Sequence, residues 1–527
     1  MSVGPDQVCG VVARTRHKMM QVELREAAAR GAKFLEVRID FLTKAVDFKR
    51  LLPFKGCPWL ATFRRPVDGG RWPGTEPERQ TLLRQAIVSG AFEWIDLETD
   101  IADGIRRFGP VKRVVSYHNT ITTPENLDDI YDAMLKQDAD VYKIAVMPTK
   151  PDDLRRIVEL QKRATKPTIA FGMGEFGFVT RFTSLKFGAP WIYAAFNKER
   201  GIAPGLPSMD DFRTTYPVRA IGPQTKFFAL LGDPVGHSFS PILHNHMFRR
   251  KKVDAVYVPF RVPEGQLPEA IDAMNAVPIS GYSVTIPHKE AAAVRAKESD
   301  PMVRIVGAAN TLKHRADGTF FAANTDYPAA VESLRTHLDA KALAEGVKAP
   351  EFSQLFVLVL GAGGAARAVI AALMRAGAHL TISSRTAERA AKLAEELGCK
   401  SCDWAARHNV AQCDIVVNCT PVGMHPKVDE SPLHASFLKP GLVVFDTVYN
   451  PEHTLLIRDS ESRGCSVVTG VDMFIRQAAK QFELFTGITP PLEEMRELLR
   501  KAMSPLTKAM EEEAEKSGGM CDDGAAA

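Results

Sequence analysis

Roughly the first 215 residues contain eight short runs rich in valine, isoleucine and aromatic residues, separated by stretches with helical spacing. The runs are VCGVVA, FLEVRID, WLATFR, WIDLET, RVVSYHN, VYKIAVM, TIAFGM and WIYAAFN. Strands that alternate with helices form parallel sheets, and eight such units close into a barrel covered by helices. The sequence therefore predicts an α/β protein that begins with a (β/α)8 TIM barrel, which we place at residues 1–219.

Polar residues recur at every second position in several of these runs, so they share one face of each predicted strand. The residues on that face are Glu36 and Arg38, Thr62 and Arg64, Ser116 and His118, and Lys143. Since helices cover the outside of such a barrel, we expect this face to line the lumen. An ion-pair network that only stabilises the barrel and a site for a polyhydroxylated anion both fit the pattern.

Lys143 lies in VYKIAVM, a run that is otherwise typical of a buried strand. One interpretation is an edge strand with the lysine in water. The other is a buried lysine, whose lowered pKa leaves a neutral amine that attacks a carbonyl carbon and forms a Schiff base. His118, on the same predicted face, offers an acid and base beside it, which favours the catalytic interpretation.

Six motifs of this half occur in a characteristic order: EVRID, TFRR followed by DGG, SYHN, VYKIAV, MGEFGFVTR and IAPGLPS. Through these motifs and their order, residues 7–215 resemble the type I 3-dehydroquinate dehydratases. The resemblance implies that Lys143 forms an imine with the ketone of 3-dehydroquinate and that His118 moves the proton during loss of water. It also implies substrate-binding roles for Glu36, Arg38, Arg64, Asp68 and Arg181.

Three positions depart from the family pattern. Asp68 stands where the family usually has glutamate, which is one methylene longer. Ile202 and Leu206 stand where the family commonly presents serine and glutamine, and neither apolar side chain donates a hydrogen bond. The resemblance therefore implies a weaker hold on the substrate in this half.

The second half contains QLFVLVLGAGGAAR, an apolar strand that runs into a glycine-rich turn and an alanine-rich helix. This order fits G-x-G-x-x-A, a motif that brings a pyrophosphate close to a helix N-terminus. The following strand ends in SSRT instead of an acidic residue, and arginine there favours the 2′-phosphate of NADP(H), although a solvated helix start is the alternative. The predicted cofactor-binding residues are Gly361, Ala362, Gly363, Gly364, Ala365, Ser384, Arg385, Thr386 and Arg389.

Residues 226–503 contain seven further motifs, in the order GHSFSP, SVTIPHK, GAANTL, NTDY, NCTPVGM, DTVYNP and GVDMFIRQAAKQF. In the order and sequence of these motifs this part of the chain resembles shikimate dehydrogenase. The resemblance implies that Lys289 and Asp326 deliver the proton to the carbonyl oxygen as hydride arrives, and that Thr420 belongs to the cofactor site. The residues it implies at the substrate are Ser238, Ser240, Thr285, Asn310, Tyr449 and Gln477.

Together the two halves resemble the fused dehydratase and dehydrogenase of aromatic amino-acid synthesis. We place a substrate-binding domain at 226–335, completed by helices at 472–503, and a Rossmann domain at 352–471. Residues 504–527 are charged and rich in glycine and alanine, which predicts a disordered tail. Use of quinate by the second half, with a weakened dehydratase, and a catalytically silent regulatory homologue are the alternatives.

Composition limits the partners and the compartment. The 67 lysine and arginine residues barely exceed the 63 acidic ones, so we expect no nucleic-acid partner. We expect no membrane span, since no apolar run approaches the roughly 20 residues required. The start MSVGPDQVCGVVA enters strand-like sequence almost at once, so we expect no targeting segment, and the scattered cysteines fit reduced thiols in the cytoplasm. We expect a monomer. The Cys399–Cys402 pair lacks further ligands at zinc spacing, and so do His237, His244 and His246, which predicts no metal.

Overall fold

The computed structural model describes residues 4–197, 205–236, 238–277 and 279–504. The chain divides into two compact units, Met1–Ile279 and Ser280–Ala527. The boundary between the units falls inside the substrate-binding domain predicted at 226–335, and the predicted domain boundaries stay predictions. The predicted tail falls almost wholly outside the described residues. Within the described ranges, no helix is both long enough and apolar enough to cross a membrane.

Eight parallel strands form a nearly closed barrel in the first unit, in the order β7-β6-β5-β4-β3-β2-β1-β8. The strands are β1 Val8–Val12, β2 Leu35–Arg38, β3 Trp59–Thr62, β4 Trp94–Glu98, β5 Lys112–Asn119, β6 Val141–Val146, β7 Thr168–Gly172 and β8 Ile192–Ala195. Each coincides with one of the eight apolar runs, so the predicted barrel is confirmed.

Helices follow six of the eight strands. They are α1 His17–Ala29, α2 Glu76–Val88, α3 Leu127–Met134, α4 Pro151–Arg163, α5 Gly174–Lys186 and α6 Met209–Thr214. Only short 3-10 turns follow β2 and β4, so the expected alternation is incomplete there. Both of these connections contain proline and glycine, which interrupt helices.

Aromatic side chains fill the amino-terminal end of the barrel. The Trp191 ring lies 5.1 Å from Phe34 and 5.3 Å from Trp94, centroid to centroid, and both contacts are edge to face. These three residues lie at or just before the first residues of their strands and are buried. Because these aromatic side chains fill the amino-terminal end, the polar side chains of the lumen lie toward the carboxyl ends of the strands.

The rest of the first unit is a parallel pair of strands with helices. Its elements are α7 Ser240–Arg250, α8 Leu267–Ala273, β9 Lys226–Gly232 and β10 Ala255–Arg261. The second unit begins with a smaller set, β11 Ile279–Val284, α9 Lys289–Arg295, β12 Glu298–Ser299, α10 Pro301–Val306, β13 Thr311–His314, β14 Phe320–Ala323 and α11 Asp326–Glu345. Here β13 pairs antiparallel with both β11 and β14.

A six-stranded parallel sheet follows, in the order β17-β16-β15-β18-β19-β20. Its strands are β15 Phe356–Leu360, β16 His379–Ser383, β17 Lys400–Cys402, β18 Ile415–Asn418, β19 Val443–Asp446 and β20 Ser466–Val468. Its helices are α12 Gly364–Arg375, α13 Ala387–Leu397, α14 Leu455–Ser462, α15 Gly470–Thr486 and α16 Leu492–Met503. The reversal of strand order between β15 and β18 is that of a Rossmann fold, as predicted.

Candidate active sites

Lys143 lies inside the barrel, on β6, and only 5% of its surface is exposed. Its Nζ is 3.5 Å from an Asp96 carboxylate oxygen and 4.0 Å from Glu36. It also lies over the Tyr193 ring, 4.2 Å from the centroid. The ammonium group is therefore surrounded by two carboxylates and one aromatic face, which confirms the buried interpretation of this lysine.

Asp96 is held by a chain of charged side chains from neighbouring strands. It accepts hydrogen bonds from Arg64 at 2.8 Å and from Ser116 at 2.5 Å. Arg64 also donates to Glu98 at 3.1 Å, and Glu98 accepts from the fully buried Arg79 at 2.6 Å. Neither Asp96 nor Glu98 was predicted from the sequence, although their alternate positions in WIDLET show the same pattern as Glu36 and Arg38 in FLEVRID.

The surroundings of Lys143 favour its neutral form. Burial lowers the pKa of this ammonium group, because a charge loses its hydration in the lumen. Glu36 and Asp96 oppose that shift, while Arg64 and Arg38 add to it by repulsion. The pKa remains below its ordinary value, so more of the amine is nucleophilic at a given pH.

His118, on β5, is also shifted toward its neutral form by its surroundings. Burial lowers the pKa of the imidazole well below its ordinary value, and the positive charges of Arg64, Lys143 and Arg38 lower it further. Its Nδ1 is buried and has no hydrogen-bond partner among the described residues. A neutral imidazole with an open ring nitrogen is suited to accept a proton from a bound molecule.

Arg181, on α5, is a buried cation without a carboxylate among the described residues to pair with it. Burial lowers the pKa of its guanidinium to about 9, and its Nε has no hydrogen-bond partner in the described ranges. The guanidinium stacks on the Phe171 ring, 4.3 Å from the centroid. Because an unpaired buried cation is costly, this arrangement favours an anionic ligand.

Two other predicted ligands of the barrel have protein partners. Arg38 makes a two-pronged contact with Asp40, at 2.9 and 2.7 Å. Asp68 accepts a hydrogen bond from Arg65 at 2.7 Å, so its carboxylate is oriented toward that arginine. Leu206 is half-buried, and Ile202 lies outside the described residues.

The glycine-rich turn of the second unit has the backbone that a dinucleotide requires. Gly361 follows β15 with φ +114°, and a Cβ atom there would lie 3.0 Å from the Cys419 carbonyl oxygen. A Cβ atom on Gly363 would meet nothing within 4 Å, so the start of α12 is open. This turn confirms the predicted strand, glycine loop and helix.

The remaining predicted cofactor residues lie at the carboxyl edge of the same sheet. Ser384 is half-buried after β16, whereas Arg385, Thr386 and Arg389 are exposed at the start of α13. Thr420 follows β18, and both its backbone N–H and its hydroxyl donate to Asn418. The exposed guanidinium groups of Arg385 and Arg389, and the serine in place of an acid at the end of β16, suit a phosphate at this edge.

Lys289 and Asp326 meet in a short ion pair, with 2.6 Å between Nζ and a carboxylate oxygen. They are the first residues of α9 and α11. The Lys289 side chain runs along Gly364, where an added Cβ would lie 3.4 Å from its Cδ. The pair therefore lies beside the glycine-rich turn.

Polar side chains around this pair form a buried network in the second unit. Asn310 donates to Thr325 at 2.9 Å. Gln481 accepts from Ser283 at 2.8 Å and donates to the Asn310 carbonyl at 2.9 Å. Neither Ser283 nor Gln481 was predicted from the sequence. Ser283 lies two residues before the predicted ligand Thr285, and Gln481 lies one helical turn after the predicted ligand Gln477.

The other predicted substrate residues have local contacts. Gln477 donates to the Phe474 carbonyl at 2.9 Å, and the Tyr449 ring stacks on Phe474 at 4.0 Å. In the first unit, the Ser238 hydroxyl donates to Ser240 at 3.2 Å, at the start of α7. Among the described residues, no group of three or more histidine, cysteine or acidic side chains is arranged to hold a metal ion.

Comparison with known families assigns most of the chain. Residues 8–223 match type I 3-dehydroquinase, and residues 230–312 match the shikimate dehydrogenase substrate binding domain. Residues 357–448 match NADP oxidoreductase coenzyme F420-dependent, and residues 470–500 match the shikimate 5′-dehydrogenase C-terminal domain.

Individual relatives span both halves or the second half alone. A bifunctional 3-dehydroquinate dehydratase/shikimate dehydrogenase of Arabidopsis thaliana, described as chloroplastic, is 35% identical over 93% of this chain and 83% of its own length. A shikimate dehydrogenase (NADP(+)) of Methanothermobacter thermautotrophicus is 39% identical over 53% of this chain and 98% of its own. A Thermus thermophilus shikimate 5-dehydrogenase, solved with NADP(H) and shikimate, is 33% identical over 53% of this chain and 100% of its own, with a TM-score of 0.47. The chain belongs to the family of bifunctional 3-dehydroquinate dehydratase/shikimate dehydrogenases.

Proposed function

We propose that the barrel dehydrates 3-dehydroquinate to 3-dehydroshikimate through an imine on Lys143, and that the second half reduces this ketone to shikimate with NADPH. The observation that carries the proposal is the buried Lys143 amine, 3.5 Å from Asp96 and with its pKa lowered by burial. The Lys289–Asp326 pair beside the glycine-rich turn supports the second step.

In the barrel, the Lys143 nitrogen attacks the ketone carbon, and the carbonyl oxygen leaves as water. The resulting protonated imine draws electrons from the neighbouring carbon, so the neutral His118 removes a proton there. The C–O bond of the ring hydroxyl then breaks as His118 returns the proton to it. Hydrolysis of the imine frees the product and the lysine. Arg181 binds the substrate carboxylate, which supplies the anion that this buried cation lacks.

In the second half, NADPH supplies the hydride. Lys289 donates a proton to the carbonyl oxygen, and Asp326 orients the ammonium group and restores its proton from solvent. Ser238, Ser240 and Thr285 bind the ring hydroxyls and carboxylate. Asn310, Gln477 and Tyr449 have the same role.

Location, assembly and substrate range go beyond the family assignment. We retain the cytoplasmic monomer as a prediction, and the word chloroplastic describes the Arabidopsis thaliana relative. We propose 3-dehydroshikimate and shikimate as the substrate and product of the second half. Use of quinate is the alternative. A silent regulatory protein would have no need for the assembled Lys289–Asp326 and Lys143–Asp96 contacts.

Borohydride added with 3-dehydroquinate should attach the substrate covalently to Lys143, because reduction turns the imine into a stable amine. Peptide mass mapping locates the adduct. Lys150→Ala, which removes an exposed lysine of the same barrel, should leave the adduct intact. Turnover without any modification of Lys143 would contradict the imine mechanism.

Glu36→Gln should move the rise of kcat/KM for dehydration to lower pH. The reaction needs the neutral amine, so the rate rises as pH passes the Lys143 pKa. The Glu36 carboxylate raises that pKa, hence its removal lowers the pKa further. The measurement is the pH profile of kcat/KM, with the exposed Glu125→Gln as the matched control. A shift to higher pH would contradict this electrostatic account.

Arg385→Ala should raise the KM for NADPH about tenfold or more while leaving kcat and the use of NADH nearly unchanged, since a phosphate contact acts equally in the bound and transition states. Lys289→Ala should lower kcat with either cofactor by about a hundredfold. Lys392→Ala, an exposed cation on the same helix as Arg389, is the control. Equal losses of kcat in Arg385→Ala and Lys289→Ala, with unchanged KM for NADPH, would refute this division of roles.

A further inference from the structure

Two aromatic rings lie side by side where the barrel sheet is open. Strands β7 and β8 are the two ends of the strand order, and no ladder joins them among the described residues. Phe171 on β7 and Tyr193 on β8 are both buried, and their ring centroids are 6.4 Å apart. Side chains, instead of backbone hydrogen bonds, therefore make the contact across this seam.

Each of the two rings carries one of the barrel's buried cations on its face. Lys143 Nζ is 4.2 Å from the Tyr193 centroid, and the Arg181 guanidinium carbon is 4.3 Å from the Phe171 centroid. A ring face attracts a cation most strongly when the cation has lost its water. Both cations are buried, so both contacts are of this strong kind.

A ring face suits what each cation does in the proposed reaction, in which Lys143 forms an imine and Arg181 binds a carboxylate. When the Lys143 ammonium becomes a protonated imine, its N–H groups fall from three to one, so the carboxylates nearby lose hydrogen bonds while the charge remains. The face of Tyr193 needs no N–H group and keeps its attraction. Phe171 covers one face of the Arg181 guanidinium and leaves its edge free for a carboxylate.

We propose that Tyr193 and Phe171 are positioning residues of the dehydratase: Tyr193 stabilises the protonated imine on Lys143, and Phe171 aims Arg181 at the substrate carboxylate. The inference rests on the proposed imine mechanism. The face of the Tyr193 ring, and not its hydroxyl, meets Lys143 Nζ, so we assign the effect to the ring.

The test uses substitutions at both rings of the full-length chain. Tyr193→Leu should lower kcat and the fraction of Lys143 trapped by borohydride about tenfold, with little change in KM, whereas Tyr193→Phe should retain both. Phe171→Leu should instead raise the KM for dehydration about tenfold with nearly unchanged kcat. Phe171→Tyr, which keeps the ring, should retain the wild-type KM. Reduction of 3-dehydroshikimate by the same preparations verifies that the chain is folded.

Fluorinated phenylalanines at position 193 separate the ring face from packing, because fluorine weakens the face and changes ring size little. Trapping should fall stepwise as one, two and three fluorines are added. Constant trapping across this series, or equal loss in Tyr193→Leu and Tyr193→Phe, would overturn the proposal. Absence of any adduct in the wild-type chain would instead refute the imine mechanism itself.

Discussion

The burial of the Lys143 ammonium is the constraint on which the barrel half depends. A buried charge is tolerated when partners compensate for its lost hydration, and breaking such a pair costs about 3–5 kcal/mol. Asp96 and Glu36 compensate Lys143, and Arg64 in turn compensates Asp96 and Glu98. The network thus fixes one amine in a lumen where its pKa is lowered. The structural and the catalytic interpretations of the polar lumen are therefore two properties of one network.

The second half uses backbone shape more than buried charge. Gly361 adopts a φ of +114° with no room for a Cβ atom on one side, which brings β15 close to Cys419 after β18. The Lys289 side chain lies along Gly364 at the start of α12, where an added Cβ would lie 3.4 Å from its Cδ. The Lys289–Asp326 pair therefore lies beside the cofactor turn, and the short ion pair sets the direction of the lysine.

Strand alternation predicted which residues face the lumen, because a single strand contains that information. It did not predict which residues of different strands meet. In the barrel, Leu60 is the register partner of Trp94, so residues farther along β3 and beyond reach Asp96 and Glu98. That stagger is a property of the assembled sheet and cannot be read from one strand. The Asp68 contact is of another kind, because its partner Arg65 lies three residues before it on the same connection.

One chain should perform two consecutive reactions, and analysis of the products shows directly whether it does. The full chain is supplied with 3-dehydroquinate and NADPH alone. We expect shikimate to form with one NADPH consumed for each molecule, and Lys143→Ala to consume NADPH only when 3-dehydroshikimate is supplied instead. Formation of quinate, or undiminished NADPH consumption from 3-dehydroquinate by Lys143→Ala, would contradict the account.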